Sequence, residues 1–369
     1  MFRIKYDFQI FLIQKYGGIS KYFYYLSKHI TKKNLTSEII APIHINGYLK
    51  NKNKKYFGFY LALESNIIKR SFWILNTIVD FLVSILSFYS INHKTFYSIY
   101  SDSHSSKKTK NITTIHDMNY ELFPKYFKNA NIISIKKKIA CNKSDSIIAV
   151  SNSTKKDLIK LFKIIPEKIN VIHHGIDHQI FNKNNKKNKI VEGLEPYILY
   201  VGNRHLYKNF DTLLKAYVRN EQLKKQYNIV LFGGEKLSTD EKQFIKKNEI
   251  ESKIFLFEGS DYLLSSFYNS ASVLVYTSIY EGFGMPILEA MACGCPVIAG
   301  NNSSIPEVSE NACLLIDQIE REDILENEMH KLLSNNDLLL EYSKRGIKQA
   351  SKFTWEKCAT EHLNVYKSL

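Results

Sequence analysis

From Pro196 onward, short apolar runs alternate with helix-length amphipathic stretches. The runs are YILYVG (197–202), NIVLFGG (228–234), KIFLFEG (253–259), SVLVYTS (272–278), CPVIAG (295–300) and ACLLID (312–317). Near-continuous apolar runs separated by helical segments are what strands buried on both faces of a parallel sheet require, so the pattern predicts repeated βαβ units. Helices read in 210–218, where Leu213, Leu214 and Tyr217 share a face, and in 262–270. The first half has similar punctuation: RIKYDF (3–8), a helix opened by Gly17-Gly18 and running through Ile30, then SEIIAP (37–42), TFYSIY (95–100), NITTIHD (111–117), DSIIAVS (145–151) and KINVIHHG (168–175). The expected fold class is α/β, with two Rossmann-like doubly wound domains facing each other across a cleft. The expected limits are 1–180 for the first domain and 194–350 for the second. Residues 181–193, FNKNNKKNKIVEG, have no apolar periodicity and four lysines, and read as a linker. Residues 351–369, with Trp355, read as a terminal helix packing back on the first domain.

Residues 72–89, FWILNTIVDFLVSILSFY, are apolar enough for a membrane span, but Asp80 at the bilayer centre would cost about 2.5 to 3.5 kcal/mol. Asn76, Asp80, Ser84 and Ser87 line one helical stripe, which predicts a mostly buried helix or one lying in a membrane interface. Composition agrees with a globular chain. At 369 residues two domains are expected, and 44% hydrophobic with 24% charged residues excludes disorder, collagen-like repeats and a polytopic membrane protein. The five cysteines (Cys141, Cys293, Cys295, Cys313, Cys358) are unevenly spaced, which favours a reducing cytosol over a disulfide scaffold. Cys293-Gly-Cys295 lacks a second pair at metal spacing. Asp7 and Gln9 interrupt the opening where a signal peptide needs an apolar run, so the mature chain is expected to start at Met1 and stay inside the cell.

Charge is unevenly distributed along the chain. Residues 1–190 carry 32 Lys and Arg against 11 Asp and Glu, a net +21, while 191–369 carry 19 against 25, a net −6. A basic excess confined to one half attracts polyanions: nucleic acid, anionic lipid headgroups or a phosphorylated substrate. Nucleic acid is the weakest of these, since no zinc finger, RNA-recognition signature or basic-region heptad occurs. The plain alternative is a solvated lysine-rich surface of an AT-rich coding sequence.

In open parallel sheets ligands bind beyond the carboxyl ends of the strands, and the candidate chemistry follows them. Gly17-Gly18 precedes an amphipathic helix and would let a substrate reach backbone N–H groups at its positive end; an ordinary turn is the competing reading. The fingerprint G-x-G-x-x-G is absent, which counts against NAD chemistry. Beyond Gly202, Arg204 and Lys208 are placed to grip a diphosphate, or else form a solvated pair. In YTSIYEGFGMPILEAMACGCPVIAG, seven residues separate Glu281 from Glu289, Gly282 and Gly284 open the backbone, and Met285-Pro286 start a helix with Pro in its first turn. Two such carboxylates suit sugar hydroxyls and a ribose, and the N–H groups from Phe283 to Met285 suit phosphate or sugar oxygens. NITTIHD ends in His116-Asp117, where an imidazole can donate to a substrate hydroxyl or shuttle a proton. His173-His174, with no acidic or thiol partner at metal spacing, reads as a turn placed to line the cleft. Ser151 reads as a helix N-cap, since it lacks the G-x-S-x-G elbow of a nucleophile.

Together these motifs resemble the retaining, nucleotide-sugar-dependent glycosyltransferases of family 4, with two Rossmann-like domains in the GT-B arrangement. The resemblance covers nearly the whole chain and runs through QKYGGISKYF (14–23), TTIHDMNYELFP (113–124), IIAVSNSTKKDL (147–158), VIHHGID (171–177), VGNRHLYKNFDTLLKAY (201–217) and EGFGMPILEAMACGCPVIAG (281–300) in the expected order. It implies that Arg204 and Lys208, beyond Gly202, bind the diphosphate, and Glu289 the ribose. Glu281 and the backbone from Gly282 through Phe283, Gly284, Met285 and Pro286 would bind the donor sugar. His116, with Asp117 beside it, would meet the sugar near the reaction centre, and the Gly17-Gly18 loop would face the diphosphate. His116, Arg204, Lys208 and Glu281 would then carry catalysis by front-side transfer with retention. No metal or other cofactor is implied, in keeping with the lack of an Asp-x-Asp motif. The opening YDFQIF…QKYGGISKYF further resembles bacterial O-antigen and capsule enzymes of the mannosyltransferase type. That implies a GDP-mannose-type donor ahead of a UDP-sugar and a lipid-linked oligosaccharide acceptor. The enzyme would sit peripherally on the anionic inner face of the plasma membrane, with Lys50 to Lys55 and the 72–89 segment at the contact. Readings still open are a GT-B phosphorylase, a nucleotide-sugar epimerase or hydrolase, and a non-catalytic membrane-associated binding protein.

Overall fold

The computed structural model describes residues 3–31, 36–50, 56–61, 71–79, 90–95, 109–184, 188–194, 196–204 and 206–369. The chain forms two compact units, Met1–Gly175 with Trp355–Leu369 and Ile176–Thr354. Each is built on one parallel sheet. In the first, β1 (Arg3–Tyr6), β2 (Ser37–His44), β3 (Tyr56–Tyr60), β4 (Ser90–Thr95), β5 (Thr109–Ile115), β6 (Ser146–Ala149) and β7 (Ile169–Val171) lie in the order β3-β2-β1-β4-β5-β6-β7. In the second, β8 (Tyr197–Val201), β9 (Asn228–Phe232), β10 (Ile254–Phe257), β11 (Val273–Tyr276), β12 (Val297–Gly300) and β13 (Leu314–Ile316) lie in the order β10-β9-β8-β11-β12-β13. The order reverses between β1 and β4 in one sheet and between β8 and β11 in the other. Loops leaving these pairs flank the crevice where doubly wound sheets bind ligands.

The boundary differs from the sequence expectation. The chain enters the second unit at Ile176, ahead of the 181–193 stretch read as a linker. Phe181 is fully buried with its ring 6.1 Å from Tyr268, and Val191 is buried on the short helix Lys189–Glu192, which Asn188 caps. Two apolar side chains spaced ten apart leave no periodicity to read, yet they tie the stretch to the second unit's core; residues 185–187 lie outside the described residues. At the other end, the helix Trp355–Lys367 belongs to the first unit. Trp355 is buried in that core, stacked on Tyr25 at 5.3 Å and 10°. Burying a ring of this size is worth about 4 to 6 kcal/mol.

The start of the 72–89 segment is helical over residues 71–79. It turns its polar residue inward: the Asn76 amide donates to the Ile43 carbonyl at 2.8 Å and accepts from the Ile43 N–H at 2.9 Å. Those two groups lie where the β2–β3 register shifts between Ile40 and Ile43, so Asn76 satisfies a donor and an acceptor that the ladder leaves. Phe72 and Trp73 pack on the core, whereas Ile74, Leu75 and Ile78 are exposed. This part is therefore not the mostly buried helix expected of an apolar run; Asp80, Ser84 and Ser87 lie outside the described residues. Among the described residues no helix is long and apolar enough to cross a membrane.

Candidate active site

In the second unit the loop after β8 turns at Gly202, whose φ of +109° favours glycine. The loop after β9 passes against it. A Cβ on Gly234, φ +79°, would lie 2.6 Å from the Gly202 carbonyl oxygen, so close approach of the two backbones fixes glycine there. Arg204 is buried between these loops. Its Nε donates to Glu241 Oε1 at 3.1 Å, and its terminal nitrogens reach the carbonyls of Glu235 and, at 3.5 Å, Gly233. Glu241 is held in turn by a capping box: Ser238 N–H donates to its Oε2 at 2.6 Å and Ser238 Oγ accepts its N–H at 3.1 Å, starting the helix Thr239–Lys247. Arg204 is thus a built-in cation rather than a solvated one.

Lys208 ends the 3-10 turn Leu206–Lys208, and its Nζ lies 2.5 Å from Glu281 Oε1. Tyr276, at the end of β11, donates its hydroxyl to the same oxygen at 2.7 Å. Burial first, then the Glu281 charge, push the Tyr276 hydroxyl well above its ordinary range, so it stays a donor. The loop is fixed further by Glu281 N–H donating to Ser303 Oγ and Ser304 Oγ donating to the Glu281 carbonyl, both at 2.9 Å. The crevice beside β8 and β11 therefore joins Lys208 and Glu281, which 73 positions separate in sequence. Gly282 and Phe283 continue the loop, and Gly284, φ +96°, is the left-handed N-cap of the helix Met285–Ala292 with Met285 and Pro286 in its first turn. Pro there sacrifices no hydrogen bond. Glu289 is buried, with the Tyr268 hydroxyl donating to its Oε2 at 3.4 Å.

In the first unit His116 follows β5. It is almost fully buried, edge-on to Tyr22 at 4.9 Å and 5.5 Å from the ring of His174. Burial, then the nearby Lys137 and His362, lower its pKa to about 3, so the ring is neutral near pH 7. Its Nε2 is buried with no hydrogen-bond partner among the described residues. A neutral imidazole with an open nitrogen at a strand's carboxyl end is a seat for a polar ligand group. Asp117 is pinned at both ends: its carboxylate accepts the Asn119 N–H at 3.1 Å, and its carbonyl accepts from Lys137 Nζ at 2.9 Å. At the start of the helix Gly18–Thr31, Gln14 Oε1 accepts the Ser20 N–H at 3.2 Å and covers Gly17, while the space beside Gly18 is open. One helix-terminal N–H is already taken, so an anion reaching it must displace the Gln14 amide. Ser151 caps its helix by accepting the Thr154 N–H at 3.0 Å, as its spacing predicts.

Residues 16–180 match the family model Glycosyltransferase Family 4, and residues 181–352 match Glycosyl transferases group 1. O-antigen chain mannosyltransferase B of Escherichia coli is 30% identical over 269 residues, covering 70% of each chain. The chain belongs to glycosyltransferase family 4. Another relative, N-acetylgalactosamine-N,N'-diacetylbacillosaminyl-diphospho-undecaprenol 4-alpha-N-acetylgalactosaminyltransferase of Campylobacter jejuni, is 25% identical over 225 residues and 60% of each chain. The chain thus spans less than two thirds of that relative. The solved structure of WaaG, a glycosyltransferase involved in lipopolysaccharide biosynthesis, superposes with a TM-score of 0.75 over 98% of this chain and 99% of its own at 13% identity, which establishes the GT-B fold.

Within this family 4 glycosyltransferase, several residues around the candidate site stand outside the sequence motifs. Glu241 and Tyr276 hold Arg204 and Glu281 directly, yet each lies in a stretch legible only as a helix start or a strand end. Gly233-Gly234 had a visible signal, since paired glycines end the run NIVLFGG. His174, in the stretch expected to turn beside the cleft, packs against His116.

Proposed function

We propose that this glycosyltransferase moves a sugar, with retention and without a metal, from a nucleotide-diphosphate donor of the GDP-mannose type to a lipid-linked oligosaccharide in surface polysaccharide assembly. The observation that carries the reading is the pairing of Lys208 with Glu281 at the β8/β11 switch point, beyond the loop that Arg204 anchors. Lys208, with Arg204 bracing the neighbouring loop, would neutralise the leaving diphosphate. Glu289 would take the ribose, and Glu281 with the backbone from Gly282 to Pro286 the sugar. The neutral His116, with Asp117 beside it, would meet a sugar hydroxyl. The acceptor hydroxyl then attacks the anomeric carbon on the face the diphosphate leaves, and fixed donors around the departing charge lower the barrier. The donor preference draws on the mannosyltransferase relative, and the acceptor class on the relative whose name includes diphospho-undecaprenol.

The test is a donor screen with a lipid-diphosphate acceptor in the presence of chelator, the product's anomeric proton being read by NMR. An α-linked product from an α-linked donor is expected. A β linkage, or activity that only manganese restores, overturns the proposal, and donor consumption without acceptor selects the hydrolase or epimerase reading.

The same proposal places the enzyme peripherally on the anionic cytoplasmic leaflet, on the strength of the +21 excess in residues 1–190. Lysines near such a surface contribute about 1 kcal/mol each. Lys50 is exposed, whereas Lys52, Lys54 and Lys55 lie outside the described residues. Co-sedimentation should show binding to phosphatidylserine-containing vesicles that fades as salt shortens the Debye length from about 10 Å at 0.1 M to about 3 Å at 1 M. Equal binding to neutral vesicles, or none to either, would make the lysines a solvated surface and the acceptor soluble.

A further inference from the structure

A chain of hydrogen bonds runs through the core of the first unit, and its direction follows from one fixed end. His362, on the terminal helix, has Nδ1 2.7 Å from the Cys358 carbonyl oxygen, which only accepts, so Nδ1 carries the hydrogen. Burial keeps the ring neutral, and Nε2 is then an acceptor. Tyr22, whose hydroxyl is 2.6 Å from that Nε2, must donate to it. The Tyr22 oxygen accepts from Thr114 Oγ1 at 3.2 Å, and Thr114 accepts from His93 Nε2 at 2.6 Å. His93 Nδ1 is left to accept from the Tyr366 hydroxyl at 2.6 Å, and Tyr6 closes the chain at 3.5 Å. The other His93 tautomer would take the Thr114 hydrogen and leave the Tyr22–Thr114 contact with none. A single assignment therefore satisfies every contact, across β1, β4, β5, the helix Gly18–Thr31 and the terminal helix.

The chain fixes Tyr22 at its hydroxyl, and the Tyr22 ring is the wall against which His116 and His174 stand, each with its ring centre 4.9 Å away. We infer that Tyr22 and His362 are positioning residues for His116, so that the terminal helix sets the angle at which the open Nε2 meets the sugar. The inference rests on the reading that His116 contacts substrate. A polar strut suits this task better than an apolar contact, because hydrogen bonds of fixed direction hold the far end of the ring in place.

The experiment measures kcat, the KM for donor and thermal unfolding of the full chain for Tyr22→Phe, His362→Leu, His362→Gln, the Tyr22→Phe/His362→Leu pair and His116→Ala. Displacing a reacting group by a fraction of an ångström costs about tenfold in rate, so Tyr22→Phe and His362→Leu should each lower kcat about tenfold with donor KM nearly unchanged. Gln at 362 places an acceptor oxygen near the Nε2 position and should recover most of the loss. The paired variant should be no slower than either single, because both remove the same bond. Wild-type kcat in Tyr22→Phe while His116→Ala is slow overturns the inference and leaves the reading of His116 intact. Wild-type kcat in His116→Ala overturns that reading itself. Where His362→Leu fails to fold, Tyr22→Phe, which deletes one hydroxyl and keeps the ring, decides.

Discussion

Lys137→Met should lower the stability of the first unit by about 3 to 5 kcal/mol, the cost of leaving a buried charge without its partner. Lys137 is wholly buried on the helix Ala130–Lys143, with Nζ 2.8 Å from Glu121 Oε2 and 2.9 Å from the Asp117 carbonyl. The Glu121 side chain is 5% exposed, and its other oxygen is buried without a hydrogen bond among the described residues. Removing the cation thus leaves a carboxylate that neither water nor protein compensates. Adding Glu121→Leu to Lys137→Met should recover most of the loss, since replacing both members of a buried pair with apolar groups is often neutral. Both tryptophans of the chain, Trp73 and Trp355, lie in the first unit, so their fluorescence in urea follows this unit. A double variant as unstable as the single would show that the lost contact with the Asp117 carbonyl, not the stranded charge, sets the cost.

That pair was invisible in sequence, and the reason is general to the chain. The central strands of the second unit are legible because they are buried on both faces: YILYVG and SVLVYTS contain β8 and β11. In the first unit β4 is SINHKT, which has no apolar run to read. His93 fills a core position there because Thr114 and Tyr366, 21 and 273 positions away, satisfy its two nitrogens. The expected strand TFYSIY begins only where β4 ends, and 96–100 lie outside the described residues. Asn76 was legible as a polar stripe but not as one facing inward, since its partner is a register shift in β2 that no local pattern announces. For the site, residue types after strand ends pointed to Lys208 and Glu281 one at a time. Only the strand order brings them together, and only the loop after β9 reveals that Arg204 is anchored.

That difference in anchoring separates the two cations by experiment. Lys208→Met should slow transfer about a hundredfold with a smaller loss of stability than Arg204→Ala. Arg204→Ala should lose both rate and stability. Lys208 is partly exposed at 21%, and removing it leaves Glu281, 12% exposed, with the Tyr276 hydroxyl still donating to the same oxygen and no backbone carbonyl deprived of its donor, so the fold loses less than at Arg204. What is lost is a positive charge beside the point where a leaving diphosphate gathers charge, and removing one such contact costs about 3 kcal/mol of barrier, roughly a hundredfold. Arg204 is only 2% exposed, and its removal strands Glu241 Oε1, on a side chain 10% exposed, and takes a donor from the Glu235 carbonyl. A stranded buried charge costs about 3 to 5 kcal/mol before any substrate is present. Arg204→Lys keeps the charge but not the fork that spans Glu241 and the carbonyl, so it should remain less stable than the parent while transferring faster than Arg204→Ala. Calorimetric unfolding and kcat at saturating donor are the two readouts. A folded Lys208→Met with the parent's kcat would remove Lys208 from the leaving-group site. The convergence at the β8/β11 switch point would then be an ion pair that shapes the loop, and charge stabilisation would fall to Arg204 and the N-terminus of the helix Met285–Ala292.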